Sequence, residues 1–175
     1  MIFEIIGGIL VYLFLSYGYL TIKEKQILKM RKIISVLLDK RFRSFETLIT
    51  KVEEKMDYEQ TFLKEVVQLR SQAQKFKQEK EFRSEYFCEE KITQLALKIE
   101  VLFLEFPQLK NISNYKQIIE EILISESTLL PYQKKYNSLA IRYNKSKSSL
   151  LHIITTHIFS KFDKKIELWK LENIN

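Results

Sequence analysis

The sequence predicts an all-α protein: an N-terminal transmembrane helix followed by a four-helix up-and-down antiparallel bundle. Three observations predict it. The run IIGGILVYLFLSYGYLTI, residues 5–22, carries no charge, and at about 1.5 Å per residue it reaches roughly 27 Å, close to the thickness of a bilayer's hydrocarbon core. Gly is 3 and Pro 2 in 175 residues, while Leu, Ile, Lys, Glu and Gln, which lose little freedom in a helix, are abundant. Finally, the later segments repeat apolar residues at spacings of three and four, the mark of a helix with one buried face. An apolar share of 46 % contradicts disorder, and 29 % charged residues fits solvated helix faces. The expected layout is an anchor over 1–22, a bundle over 23–150 and a C-terminal helical tail over 151–175.

The anchor comes with a charge asymmetry. Net charge is +7, and Glu4 is the only charged residue before position 23, so the remainder carries +8. Lys23, Lys25, Lys29, Arg31, Lys32, Lys40, Arg41 and Arg43 crowd the stretch after the run, against Glu24 and Asp39. Lys and Arg close to one end of a spanning helix favour the cytoplasmic side. The expectation is a single-pass protein of the cell membrane, N-terminus outside and bundle in the cytoplasm. A cleaved signal peptide is the alternative. It would want Lys or Arg where Glu4 stands, and a small-residue cleavage site that is missing. Lys23, Lys25, Lys29, Arg31 and Lys32 are candidate lipid-facing cations, each worth up to ~1 kcal/mol near anionic headgroups. A nucleic-acid site would need interleaved stacking aromatics, and only Phe42 and Phe45 lie nearby. No nucleic-acid partner is expected.

Along the chain, Ile27, Met30, Ile34, Leu38, Phe42, Phe45, Ile49, Val52 and Met56 form the stripe of a first long helix. No Gly or Pro interrupts residues 19–106, so the anchor is expected to run on into it. Asp57 can cap a second helix, with stripe Phe62, Val66, Leu69, Ala73 and Phe76. A turn is predicted near 80–86. Ile92, Leu95, Ile99, Leu102 and Phe106 carry a third helix ending before Pro107. Residues 106–114 read as a loop with Ser113 as cap, and the fourth helix follows: Tyr115, Ile118, Ile122, Ser125, Leu129, Tyr132, Tyr136, Leu139 and Tyr143, with a kink expected near Pro131. Residues 144–149 read as its frayed end. Leu150, Ile154, Ile158, Phe162, Ile166 and Trp169 suggest one short last helix. Packing of the four stripes on one another makes a bundle, and a coiled-coil oligomer of longer hairpins is the alternative.

Strong catalytic patterns are missing. The sequence has no Gly-rich phosphate loop, paired CxxC or HExxH. Neither His152 nor His157 has Glu three residues before it, as a bundle metal site would require, and the two, five apart, sit on different helix faces. The adjacent acids Glu89 with Glu90, and Glu120 with Glu121, are expected to face water. Cys88 is the only cysteine, read as an inert thiol. No catalytic, cofactor-binding or metal-binding residue, and no small-molecule substrate, is assigned. Tyr136 and Tyr143 on the heptad stripe, with Asn137 and Asn144 forming a row beside it, read first as core. They are also the candidate protein-binding groove, with the asparagines able to satisfy the tyrosine hydroxyls or neighbouring backbone.

Two segments carry a family likeness. FPQLKNISNYKQIIEEILISESTLLPYQKKYNSLAIRYN, residues 106–144, resembles the LemA family of bacterial membrane proteins in its aromatic-Pro-x-Leu-Lys turn. The long helix after that turn ends in two Tyr-Asn pairs, here Tyr136 with Asn137 and Tyr143 with Asn144. DKRFRSFETLITKVEEKMDYEQTFLKEVVQLRSQA, residues 39–73, is similar to the family's basic-aromatic stretch and the helix after it. Pro131 departs from the pattern, standing where the family keeps small helix formers. The resemblance implies a four-helix bundle on a single anchor and no established activity. The expected role is a membrane-anchored, non-enzymatic scaffold or protein-interaction module. The alternative is a peripheral anionic-lipid-binding or membrane-organising protein.

Overall fold

The computed structural model describes residues 1–53, 61–99, 101 and 114–169. Among them there is no strand. The helices are α1 (Ile2–Glu53), α2 (Thr61–Glu79), α3 (Phe82–Leu97), α4 (Tyr115–Lys147) and α5 (Ile153–Ile158), with a 3-10 turn at Ser160–Phe162. The run that reads as a membrane anchor and the first bundle helix are one unbroken α1, which the lack of Gly and Pro after Gly18 permits. The chain divides into two compact units, Met1–Lys32 with Lys134–Leu168, and Ile33–Gln133 with Trp169–Asn175.

In the second unit, four helical stretches share one core. Phe45, Leu48 and Val52 come from α1, Leu63 and Val66 from α2, Ile92 and Ala96 from α3, Ile99 from just beyond it, and Ile118, Ile119 and Ile122 from α4. Ser35 meets Lys77 at 2.6 Å and Asp39 meets Arg70, so residue numbers rise along α1 as they fall along α2. The two run antiparallel. α2 and α3 reverse through Lys80, whose φ is 61°. The Glu81 N–H donates to Phe76 O at 2.8 Å and the Lys80 N–H to Lys77 O at 3.3 Å, the two bonds of a Schellman cap. The turn predicted near 80–86 therefore lies at its early edge. All-α and the four-helix bundle stand as predicted.

The first unit buries Leu20, Ile27 and Met30 of α1, Tyr136, Ala140 and Tyr143 of α4, and Phe162 of the tail. Residues 163–169 are outside any helix. The single last helix expected over Leu150–Trp169 is thus a correction. Only six residues are α-helical, and the stripe is split: Phe162 and Trp169 are buried, while Leu150 is 90 % exposed. The Phe159 backbone is extended, with ψ of 97°, which ends the helix there.

Other differences are local. In the α1 stripe the buried position after Leu38 is Arg41, and Phe42 is only half-buried. α3 ends at Leu97, where the Lys98 N–H reaches back to Leu95 O at 3.2 Å, and Ile99 is buried beyond that tightened turn. α4 passes through Pro131, an exposed residue, so the Ser127 carbonyl its ring leaves unbonded is on the water side. Met56, Asp57, Leu102, Phe106, Pro107 and Ser113 lie outside the described residues, as does the 106–114 loop except Asn114. Asn114 itself adopts φ of 63° and accepts the Ile118 N–H at 3.1 Å, opening α4.

Candidate functional site

Inside the second unit, the four helices bring charge into the core. Arg41, 1 % exposed, donates from Nη1 to Glu126 Oε1 at 2.7 Å and to Thr93 Oγ1 at 2.8 Å, and from Nη2 to the Glu89 carboxylate. Glu89, 2 % exposed, also accepts from Arg70, which reaches on to Asp39. Thr93 donates to Glu126 at 3.0 Å, closing the ring. Burial by itself would lower the Arg41 pKa, but Glu126 and Glu89 outweigh it, and the guanidinium is held above its usual value. Two buried cations face two buried carboxylates, with half-exposed Asp39 at the rim. Each carboxylate is held by guanidinium donors, while the buried Nε of Arg41 and that of Arg70 have no hydrogen-bond partner. The network's physical effect is to fix the helices in register, because any slip would strand a buried charge.

Glu89 is therefore a correction to the expectation that the paired acids face water, whereas Glu120 and Glu121 are exposed as expected. A usable signal was present. Positions 34, 38, 41, 45, 48 and 52 keep strict three-and-four spacing, and Arg41 is the one charge among them. Arg70 sits between Val66 and Ala73, Glu89 between Glu85 and Ile92, and Glu126 between Ile122 and Leu129, each on the buried side of its helix. Nearby Cys88 is buried, and desolvation, then Glu89, push its thiol pKa up, which makes it a poor nucleophile.

In the first unit, the sequence-predicted partner residues hold the chain's own tail. Tyr136 is 2 % exposed and its hydroxyl donates to Glu167 O at 3.0 Å. Asn144 donates from Nδ2 to Ile166 O at 2.9 Å and accepts the Ile166 N–H at 3.0 Å, so one amide pairs both backbone groups of one residue. Of the two partners open to the asparagines, tyrosine hydroxyls or backbone, Asn144 takes backbone. Lys147, one turn on, donates to Lys164 O at 2.6 Å and to Phe162 O. Residues 144–147 are thus an anchor for the tail. Burial lowers the Lys147 pKa, and Asp163 and Glu24 oppose that shift. Tyr143 is 3 % exposed, and burial, then Glu24, raise its pKa to about 12. Asn137 is half-buried.

Of the basic cluster, Lys25, Lys29 and Lys32 are exposed and Lys23 and Arg31 half-buried. Lys23 lies 5.5 Å from the Tyr19 ring centre, and Glu24 pairs with Lys161 at 3.0 Å. Before them, α1 is bare: Phe3 is 88 % and Phe14 77 % exposed, and Ile5, Ile9, Leu10 and Leu15 are exposed as well. The stretch is long and apolar enough to cross a membrane, and almost none of it is buried within the protein, unlike the core helix of a soluble domain.

Compared with known proteins, residues 30–174 match the family model described as the LemA family. The chain belongs to the LemA family. The match takes in the ion network on Arg41, Arg70, Glu89 and Glu126, both Tyr-Asn pairs and the tail they clamp, so the LemA-matching region is the bundle with its C-terminal segment. The apolar start of α1 precedes it. No curated protein and no solved structure matches the chain.

Proposed function

We propose that this LemA-family chain is a membrane-anchored, non-enzymatic helical scaffold that presents its bundle to protein partners. The bundle would lie on the cytoplasmic side and the N-terminus outside. The observation that carries this reading is the bare apolar start of α1, continuous in one helix with residues of the bundle core. The non-enzymatic reading draws on the buried carboxylates Glu89 and Glu126, which guanidinium groups hold, and on Tyr136 and Asn144, which backbone groups of the tail hold. Val67, Phe87 and Ile124, exposed apolar residues on α2, α3 and α4, are the natural positions for partner contact. A photo-crosslinking residue at each, in the full-length protein in its membrane, should give a discrete protein adduct from at least one. Adducts from none of the three would count against the scaffold reading.

A second reading, contact with anionic lipid, is favoured by the exposure of Lys25, Lys29 and Lys32. Full-length protein reconstituted in anionic vesicles should then show salt-sensitive protection of these lysines from acylation, lost in zwitterionic vesicles. Equal acylation in both would remove it.

A further inference from the structure

The segment over residues 150–159, LLHIITTHIF, is built inside out for water. Leu150 is 90 % exposed, Leu151 69 %, Ile158 55 % and Ile154 53 %. Two polar side chains of the same segment, Thr155 and His152, reach inward instead. Thr155 is fully buried and donates to Ser16 Oγ at 2.7 Å, and Ser16 Oγ lies 2.7 Å from His152 Nδ1. Both reach into α1 within the apolar run, where Ser16 is 3 % exposed. The Tyr12 hydroxyl donates to Leu151 O, the Tyr19 ring stacks on His152 at 4.9 Å, and Tyr17 packs edge-on against Phe159 at 4.9 Å. Among the described residues, the tail thus follows the supposed anchor from the level of Lys161 and Glu24 down to Tyr12. With ~1.5 Å per residue, Tyr12 lies roughly 16 Å from Lys23 along the helix, about half a hydrocarbon core.

Part of the backbone is paired internally, as an environment without water requires. His152 and Ile153 donate to Ser149 O at 3.0 and 2.9 Å, Thr156 to His152 O at 2.9 Å, and Phe159 to Thr155 O at 3.0 Å. Thr156 also returns its hydroxyl to Ile153 O at 2.8 Å. Cations bracket the segment, Lys145 and Lys147 before it and Lys161, Lys164 and Lys165 after it, at the end of the run that Lys23 and Lys25 also mark. His157 is the one ionisable side chain in the segment that faces outward.

We propose that residues 150–159 form a re-entrant segment that enters the acyl-chain region of the bilayer beside α1 and returns to the headgroups at Lys161. This rests on the reading that residues 2–22 cross the membrane. The protein then holds its membrane by two elements, with Ser16, His152 and Thr155 shielded between them, as small hydroxyl residues are between membrane helices. The occupant of the exposed Leu151, Ile154 and Ile158 face is lipid.

The test uses full-length protein in vesicles and a Cys88→Ala background, with a fluorescent label at Leu151→Cys or Ile154→Cys. Phe14→Cys serves as the anchor reference and Arg142→Cys as the water reference. The expected result is that the Leu151 and Ile154 labels, like the Phe14 label, lose most of their emission to chain-brominated lipid and little to iodide. Iodide quenching at 151 and 154 with lipid quenching at 14 overturns the proposal while leaving the anchor intact. Iodide quenching at 14 as well would show that the anchor reading itself has failed. Labels at 151 and 154 shielded from both quenchers would mean a second copy or another protein covers the face, which also overturns it. Wild-type protein provides an independent check: acyl-chain diazirine lipids should leave adducts within residues 150–159, and adducts confined to α1 contradict the proposal.

Discussion

Replacing Glu89 by Gln keeps the shape of the side chain and removes its charge from a site that is 2 % exposed. Glu89 is the carboxylate shared by Arg41 and Arg70. After the change Arg41 keeps Glu126, but Arg70 is left with Asp39, whose side chain is 47 % exposed and gives a weaker, solvent-screened pair. Removing one partner from a buried ion pair costs about 3–5 kcal/mol, because the other charge stays buried and uncompensated. That is a large share of the ~5–15 kcal/mol that holds a domain folded. At about 2–4 °C per kcal/mol for a protein of this size, the melting temperature should fall by roughly 6–20 °C. Calorimetry on the full-length protein in nanodiscs reads this directly. Glu120→Gln, an exposed acid on α4, is the control and should stay within ~0.5 kcal/mol of wild type. If Glu89→Gln melted with the control, the network would not be fixing the helices and the reasoning would fail.

Lys80 holds a left-handed φ of 61° at the α2 cap, so Lys80→Gly should stabilise the bundle by about 0.5–1 kcal/mol in denaturant titration. Tyr143 has its pKa raised to about 12 by burial and Glu24. The stability this represents is fully present below the unfolded value near 10 and is lost as pH rises through about 12. Ultraviolet titration should show tyrosinate absorbance appearing near pH 12, and Tyr143→Phe should reduce it by one tyrosine's worth. Asn144→Ala deletes both side-chain bonds to Ile166, and hydrogen exchange at the Ile166 amide should speed up while α2 and α3 keep their protection. Cys88, buried with its pKa raised, should react with a thiol reagent only when the bundle is unfolded.

Much of this was legible because helical periodicity reports burial directly. Ile27, Met30, Ile34, Leu38, Phe45 and Val52 were placed on the buried face by spacing alone, and they are buried. Arg41, Arg70, Glu89 and Glu126 were not, because a charge on an apolar stripe is discounted one helix at a time, and its balance becomes visible only when four helices meet. Tyr136 and Asn144 were picked out, but their partners are backbone groups of residues 166 and 167, which carry no side-chain signature. The tail was misread as one helix because its apolar residues keep helical spacing while serving two purposes: Phe162 fills the protein, and Leu150, Ile154 and Ile158 face outward.

The central claim is an anchored bundle on the cytoplasmic side, and sidedness tests it most directly. Lys135, exposed on α4, can be changed to Cys and probed in intact cells with a membrane-impermeant thiol reagent, Cys88 being buried. The account predicts labelling at position 135 only after the cells are permeabilised. Labelling of intact cells to the same extent would contradict it.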